Sequence, residues 1–547
     1  MGPTATLRFR RTAAQWHALA RVQREIRATD PHGRRKYLRD FTSAFRSYQG
    51  VLTREQLDAQ LASADVLLVG DYHALPASQQ FAAALVEQLA RQKPVVLGLE
   101  MVFARDQDIL DDWRRGEIDV AELRERIRFD LDWGYEWAPF YALLEAGRRH
   151  AAATYGLDCV PRDDLRRITV RDGHAATKIA EARERHPDAA IVVVFGESHL
   201  APNHLPELLR ARRPQDRVLT VLQNVDELYW LAAGERSERV EAVRVTDDVV
   251  CVFNATPLEK YESYRLCLER WRREPAAAPD VAPSFYNMVD ALLRFLNIDK
   301  YSPSNSTQPR FLVDQLPEVY YRPTGERVRR LLLRKGAGDA EAQSVLAHLE
   351  RQGCCYVPRA RALLVREFQV ALASEEAARF VHRACCGEVS GATAEDEFYT
   401  RALEAALAYF GSRALYPARS AVREVDLYAL YSWTREDVER FAICSYGEFM
   451  QLIDFLVLHK DYEARLRHYR ERPAILAEGV NCSDEKLAFA TRQLGYMLGS
   501  ELYDAYLSGR VAKRFIRSLF FRKLKPGAAR TAYFVTQRSL RRRKRVA

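Results

Sequence analysis

From about residue 60 to residue 255, short apolar runs alternate with longer segments of helical spacing. The runs are ADVLLVG, PVVLGLE, LDCVP, AIVVVFG, RVLTVLQN and VVCVFN. Short, β-branched runs of this kind read as strands buried on both faces. Segments 79–92, 106–149, 174–186 and 203–212 carry apolar residues three or four positions apart, which lines one face of a helix. Such alternation predicts an α/β fold with a mainly parallel sheet flanked by helices. Segment 106–149 exceeds a single crossover helix and reads as a helical insertion beside the sheet's carboxyl edge.

The pattern divides the chain. Residues 1–50 read as an N-terminal helical extension and 51–273 as the α/β domain. The Pro/Ala-rich EPAAAPDVAPS, 274–284, reads as a linker. Residues 285–509 read as a mostly α-helical domain that names no function, and 510–547 as a basic tail.

Charge sharpens this division. The net charge is +9, yet the tail from residue 510 holds 14 Lys/Arg and no Asp/Glu. The body is therefore slightly acidic, and the basic character says nothing about the α/β domain. Within the tail, VAKRFIRSLFFRKLK has amphipathic spacing, followed by RRRKR at 541–545. Three readings are open: packing on the helical domain, peripheral contact with an anionic membrane face, and, least favoured, nucleic acid. The nine cysteines include no C-x-x-C pair, which argues against a zinc ribbon or disulfide framework. No run is long enough to span a bilayer and no secretory h-region opens the chain. A cytoplasmic protein is expected, with the inner membrane face as the alternative through the tail.

The candidate chemistry sits at the ends of three runs. Gly70-Asp71-Tyr72-His73 follows ADVLLV, Glu100 ends PVVLGLE, and Gly196-Glu197-Ser198-His199 follows AIVVVF. In open α/β sheets the ligand site lies just past the carboxyl ends of the strands. His73, Glu100 and His199 are thus expected at one edge. Two imidazoles and a carboxylate suit Zn, Mn, Co or Fe, with Asp71 or Glu197 as candidate general base. Asp172 is expected to cap the helix GHAATKIAEARERH. Arg171 would hold an anion or pair with Glu100 or Glu197. The insertion aromatics Trp113, Phe129, Trp133, Tyr135, Trp137, Phe140 and Tyr141 read as core or as a wall for a planar ligand.

The order GDYH, LGLEM, D-x-W-x-x-G, RD and GESHL resembles the ChaN-like haem-binding uptake proteins. These are grouped with the Tiki and TraB proteins and the erythromycin esterases. The resemblance covers about residues 50–255. It implies a bacterial haem-binding protein, or a related tetrapyrrole- or iron-handling one, in a homodimer with paired haems. Tyr72, Arg171 and Trp113 are then the cofactor neighbours. The Tiki branch implies the alternative, a metal-dependent hydrolase of peptides or esters with His73, Glu100 and His199 on the metal. Two departures stand out. The first box is GDYH where GExH is usual, and about 270 residues follow the shared domain.

In the second half, His382 shares a helix face with Glu375. The Glu-x-x-His spacing of bundle metal sites is absent, so surface ion pairing with Arg379 or Arg383 is expected. Tyr428, Tyr431, Trp433, Phe441, Tyr446 and Phe449 are expected in the core.

Overall fold

The computed structural model describes residues 3–29, 36–159, 168–235, 240–272, 279–299, 301–302, 310–311, 315–387, 391–440, 445–465 and 484–541. Two compact units emerge: residues 22–277, and residues 1–21 with 278–547.

The first unit is the expected α/β fold. Its sheet has eight strands: β1 (Gly50–Leu52), β2 (Val66–Asp71), β3 (Val95–Phe103), β4 (Ala153–Asp158), β5 (Ala190–Gly196), β6 (Val218–Gln223), β7 (Ala242–Thr246) and β8 (Val249–Val252). Their order is β1-β7-β8-β6-β2-β5-β3-β4. Pairing is parallel from β8 through β4, and antiparallel only where β7 joins β8 and β1. Every residue of β2, β3, β5 and β6 is buried, as continuous apolar runs require of a doubly covered sheet. Strand β5 inserts between β2 and β3, so the three strands bearing the candidate residues are neighbours. Asp71 pairs directly with Gly196, which levels the ends of β2 and β5.

Strand β4 occupies Ala153–Asp158, not LDCVP, and only Leu157 and Asp158 are shared with the expected run. Its Gly156 explains the displacement. A Cβ there would stand 2.6 Å from the Phe103 carbonyl oxygen. The close approach faces a register shift in β3 between Leu99 and Phe103, the stretch that contains Glu100. A glycine that reads as a strand breaker instead admits the neighbouring backbone. Gly156→Ala is expected to destabilise the α/β unit by about 1–3 kcal/mol through overpacking, measured as faster hydrogen exchange across β3 and β4. Unchanged exchange there would contradict the packing role.

The insertion breaks into helices Gln107–Arg115, Val120–Arg126 and Trp137–His150, with a π-helical turn Phe129–Trp133. Leu110, Trp113, Leu123, Phe129 and Phe140 join the sheet's apolar core.

The second unit is mostly helical and also holds a three-stranded sheet of Glu318–Tyr321, Ala362–Val365 and Cys354–Val357. Helix Ala394–Leu415 is its centre, packed on helices Val370–Cys386 and Asp484–Leu507. Residues Ala282–Ser284 of the expected linker already belong to helix Ala282–Leu296; residues 273–278 lie outside the described ones. The Glu375–Arg379 pair, expected at the surface, is internal: Glu375 is 4% exposed and accepts from Tyr496 and Arg419 as well. His382 instead stands 3.5 Å from the Cys386 sulfur. Phe449 is core and stacks on Trp433, but Tyr428 is 53% exposed, against expectation. Phe441 lies outside the described residues. In the tail, helix Lys513–Phe520 buries Ile516, Leu519 and Phe520, so its apolar face is already covered. Residues 542–547, most of the RRRKR run, lie outside the described residues. Among the described residues no helix is long and apolar enough to cross a membrane.

Candidate functional site

The ends of β2 and β5 carry His73 and His199, and Glu100 meets them from inside β3, against the expectation that it ends its strand: it lies just past the last β3–β5 pair at Leu99, in the stretch where the register shifts. The His73 Nε2 lies 3.8 Å from Glu100 Oε2, and the His199 Nε2 lies 3.6 Å from Glu100 Oε1. Each imidazole is held from behind. His73 Nδ1 is 2.8 Å from Asp71, and His199 Nδ1 is 2.5 Å from Asp172. Two Asp–His pairs therefore face one glutamate. A carboxylate on Nδ1 fixes the ring's orientation and leaves Nε2 for chemistry. Gly196 is integral to this geometry: a Cβ there would sit 3.2 Å from both Glu100 Oε2 and His73 Nε2.

Glu100 is itself anchored. Arg171 donates to its Oε1 at 2.6 Å, and the Gly196 N–H donates to Oε2 at 2.5 Å. Arg171 also makes a fork on Asp158, at 2.8 and 2.9 Å. Of the two expected partners of Arg171, Glu100 is the observed one. Asp172 does not cap a helix. It lies inside helix Ile168–Arg185, where its second oxygen bonds His204 at 2.9 Å. The capping expectation fails because the helix is already formed at Ile168, so the Asp172 carboxylate is spent on two imidazoles.

The electrostatics follow from this wiring. Burial alone would raise the Glu100 pKa, but His199, His73 and Arg171 beside it and the Gly196 N–H bring it down to about 2. Glu100 is thus a fixed anion at neutral pH. Burial works against a charged His73, yet the hydrogen bond and charge of Asp71, with Glu100 opposite, raise its pKa above the ordinary value. Burial likewise opposes ionisation of Asp172, but hydrogen bonds from His199 and His204 hold its pKa down.

Glu197 and Tyr72 form a neighbouring group around Lys260, which the sequence did not flag. Lys260 Nζ lies 3.0 Å from Glu197 and 4.6 Å from the Tyr72 ring centre. It belongs to helix Pro257–Arg272 and is 5% exposed. Burial disfavours its charge, but Glu197 and Asp226 raise its pKa. Asp158 and Gln79, which binds Asp71, were also missed. Asp158 had a usable signal, being an acid at a strand's carboxyl end; Lys260 and Gln79 sit on helices with none.

The aromatic insertion divides in two. Trp113 is 1% exposed in the core, with Arg148 over its ring at 5.0 Å, and does not join the site. Trp133 and Tyr135 do, with ring centres 4.5 and 5.2 Å from His73. Trp271 extends this wall from outside the insertion, 5.4 Å from Tyr135. His73 is 20% exposed against 4% for His199, so incoming ligand meets His73 first.

Among the described residues no group of three or more His, Cys, Asp or Glu is placed to hold a metal ion. The donor chemistry gives a reason at the sheet edge. Both Glu100 oxygens are taken, and the guanidinium of Arg171 already supplies the positive charge that a metal would bring. Of the residues here, His73, partly exposed and flanked by the Trp133 and Tyr135 rings, is the one that could ligate a haem iron.

Comparison with known proteins agrees with the motif order. Residues 57–190 match the family described as haem-binding uptake, Tiki superfamily, ChaN. Solved structures similar to the chain include one titled cofacial heme binding to ChaN of Campylobacter jejuni. That likeness has 14% identity, covers 36% of this chain and 91% of that one, and has a TM-score of 0.25. The type III effector HopBA1 is similar at 10% identity over 38% of this chain and 96% of that one, TM-score 0.29. RRSP, a MARTX toxin effector domain from Vibrio vulnificus CMCP6, is similar at 18% over 40% and 44%, TM-score 0.23. No curated protein matches. The stretch that carries Asp71, His73, Glu100, Arg171 and Asp172 is thus similar to the ChaN family of the Tiki superfamily, with His199 just beyond the matched residues.

Proposed function

We propose that the α/β unit hydrolyses an ester or amide bond at the carboxyl edge of its sheet. One observation carries this reading: two imidazoles, each held at Nδ1 by its own aspartate, present Nε2 to a single ionised glutamate. Such a set moves protons. His73, the more open of the two, takes a proton from the attacking water as the new C–O bond forms. His199 gives a proton to the departing oxygen or nitrogen as the old bond breaks. Glu100 stabilises whichever imidazole is charged. Asp71 and Asp172 act as positioning residues, and Arg171 holds Glu100 in place. Asp71 is already bound by His73 and Gln79, and Glu197 by Lys260, so the base is assigned to neither.

The pH profile follows with a definite sign. His73 accepts a proton only when neutral, and its pKa is raised above 6.5. Catalytic efficiency should therefore climb with pH through a midpoint above 6.5. Asp71→Asn removes the charge that helps raise it and leaves only a neutral acceptor for Nδ1, so the midpoint should move down. A midpoint unmoved by that change would remove His73 from the role.

A second reading has its own support. The match of residues 57–190 to a haem-binding uptake family, with aromatic rings beside a half-open His73, favours a haem ligand at the same edge. Haem would supply redox or iron-carrying chemistry, and His73 with its Asp71 partner would orient it.

The test is a panel of p-nitrophenyl esters and fluorogenic peptides on the full chain, before and after chelation, with His73→Asn as control. Turnover that survives chelation and is lost in the variant is the expected result. Wild-type rates equal to the variant across the panel would overturn hydrolysis. In parallel, a saturable Soret shift with haemin that vanishes in His73→Asn would assign the edge to haem.

A further inference from the structure

Hydrolysis of an ester or amide builds negative charge on the carbonyl oxygen. As water adds to the carbonyl carbon, the π pair moves onto that oxygen, and a fixed hydrogen-bond donor aimed there lowers the barrier. The strong donors around Glu100 and Glu197 are already committed. The Gly196 N–H and one arm of Arg171 bond Glu100. The rest of Arg171 forks on Asp158, and Lys260 is held by Glu197. Pulling one partner out of a buried ion pair is costly, so these donors stay where they are.

Tyr135 is placed differently. It follows Gly134, whose φ of 73° closes the π-helical turn Phe129–Trp133 in a conformation that favours glycine. The Trp271 Nε1 donates to the Gly134 carbonyl at 2.8 Å and ties the turn to helix Pro257–Arg272. Three rings then clamp the phenol edge-on, with centres at 5.2 Å for His73, 5.4 Å for Trp271 and 5.7 Å for Trp133. Packing alone fixes the ring. Tyr135 is half-buried, and among the described residues its hydroxyl has no hydrogen-bond partner. A tyrosine hydroxyl in such surroundings ordinarily has one. Burial, with Cys267, Tyr264, Asp71 and Glu100 near it, pushes the phenol pKa up, so the group keeps its proton and remains a donor.

From the juxtaposition of this open hydroxyl and the His73 ring, we infer that Tyr135 is the oxyanion donor of the site, a catalytic role that rests on the hydrolytic reading. His73 takes the water proton as the new C–O bond forms. The oxyanion accepts a hydrogen bond from the phenol, whose proton is not transferred. The C=O re-forms as the bond to the leaving group breaks, and His199 protonates that group. Because the ring is already clamped, the donor needs no reorganisation as the charge appears.

Tyr135→Phe keeps the ring and removes only the donor. It is assayed in the full chain on whichever ester or peptide of the panel wild type turns over fastest. A phosphonate that replaces the scissile carbonyl of that substrate, titrated as an inhibitor, stands in for the oxyanion. The variant should lower kcat by about 10²–10³, with KM within about twofold of wild type. Affinity for the phosphonate should fall by a comparable factor. Turnover equal to wild type, with His73→Asn inactive, overturns the role of Tyr135 and leaves hydrolysis standing. A raised KM at unchanged kcat overturns it, because Tyr135 would then only hold substrate. So does a lowered kcat at unchanged phosphonate affinity, which marks a merely structural effect. Wild-type rates no higher than those of His73→Asn overturn hydrolysis and this role together.

Discussion

Glu100→Ala should cost the α/β unit about 3–5 kcal/mol, the usual loss when one member of a buried ion pair is removed. Arg171 is buried with side-chain exposure of 5%, and its charge is shared between Glu100 and Asp158. Removing Glu100 leaves half the guanidinium without a partner. It also takes away the anion facing His73 and His199, and the acceptor of the Gly196 N–H. Three strands lose a common tie at once. The measurement is the opening free energy of β2, β3 and β5 amides by hydrogen exchange, which isolates this unit from the helical one. Adding Arg171→Met to Glu100→Ala should destabilise the unit further, because the buried Asp158 carboxylate then loses its guanidinium partner. A single-variant loss below about 1 kcal/mol would show that the network is not under the strain that burial imposes.

His73→Asn and His199→Asn should each lower turnover by about 10²–10⁴, the range for loss of a positioned acid or base. The Michaelis constant should change little, since these groups act on protons in transit. The double variant should fall little further than either single one, because groups that act as a unit are not additive. The two variants separate by their effect on stability. The folded His73 pKa lies above the unfolded value, so its contribution is complete below 6.5 and fades as pH rises through the folded value. The deficit of His73→Asn should therefore be largest in acid and shrink towards alkaline pH. A stability deficit independent of pH would contradict the raised pKa, and full turnover in either variant would remove that histidine from the reaction.

The sheet was readable because β2, β3, β5 and β6 are buried on both faces, and nothing but an apolar run satisfies that environment. His73 and His199 were readable for a related reason, as polar residues placed where such runs end, and Glu100 as the one charge interrupting the buried run of β3. Strand β4 was misplaced because Gly156 looks like punctuation and serves as a close contact. Strand β7 was missed because AVRVT is short and lies near the sheet's edge. Asp172 shows a deeper limit. Its local signal is that of a cap, while its actual partners, His199 and His204, lie 27 and 32 residues away in the chain. Lys260 is the extreme case, 63 residues from Glu197, on a helix whose pattern is ordinary. The same holds in the helical unit, where an i, i+4 pair of Glu375 and Arg379 reads as surface until Tyr496 and Arg419 close over it.

The place of β5 between β2 and β3 has a consequence for the growing polypeptide. On a ribosome, β2 and β3 emerge well before β5, yet in the finished sheet they never touch. Until residues 190–196 arrive, each presents an unpaired edge of continuous apolar sequence, the kind that captures other chains. Any premature pairing of β2 with β3 must be undone before the slot can fill. Nascent chains stalled between these strands should be the most aggregation-prone species this protein produces, and the natural clients of a chaperone acting during synthesis.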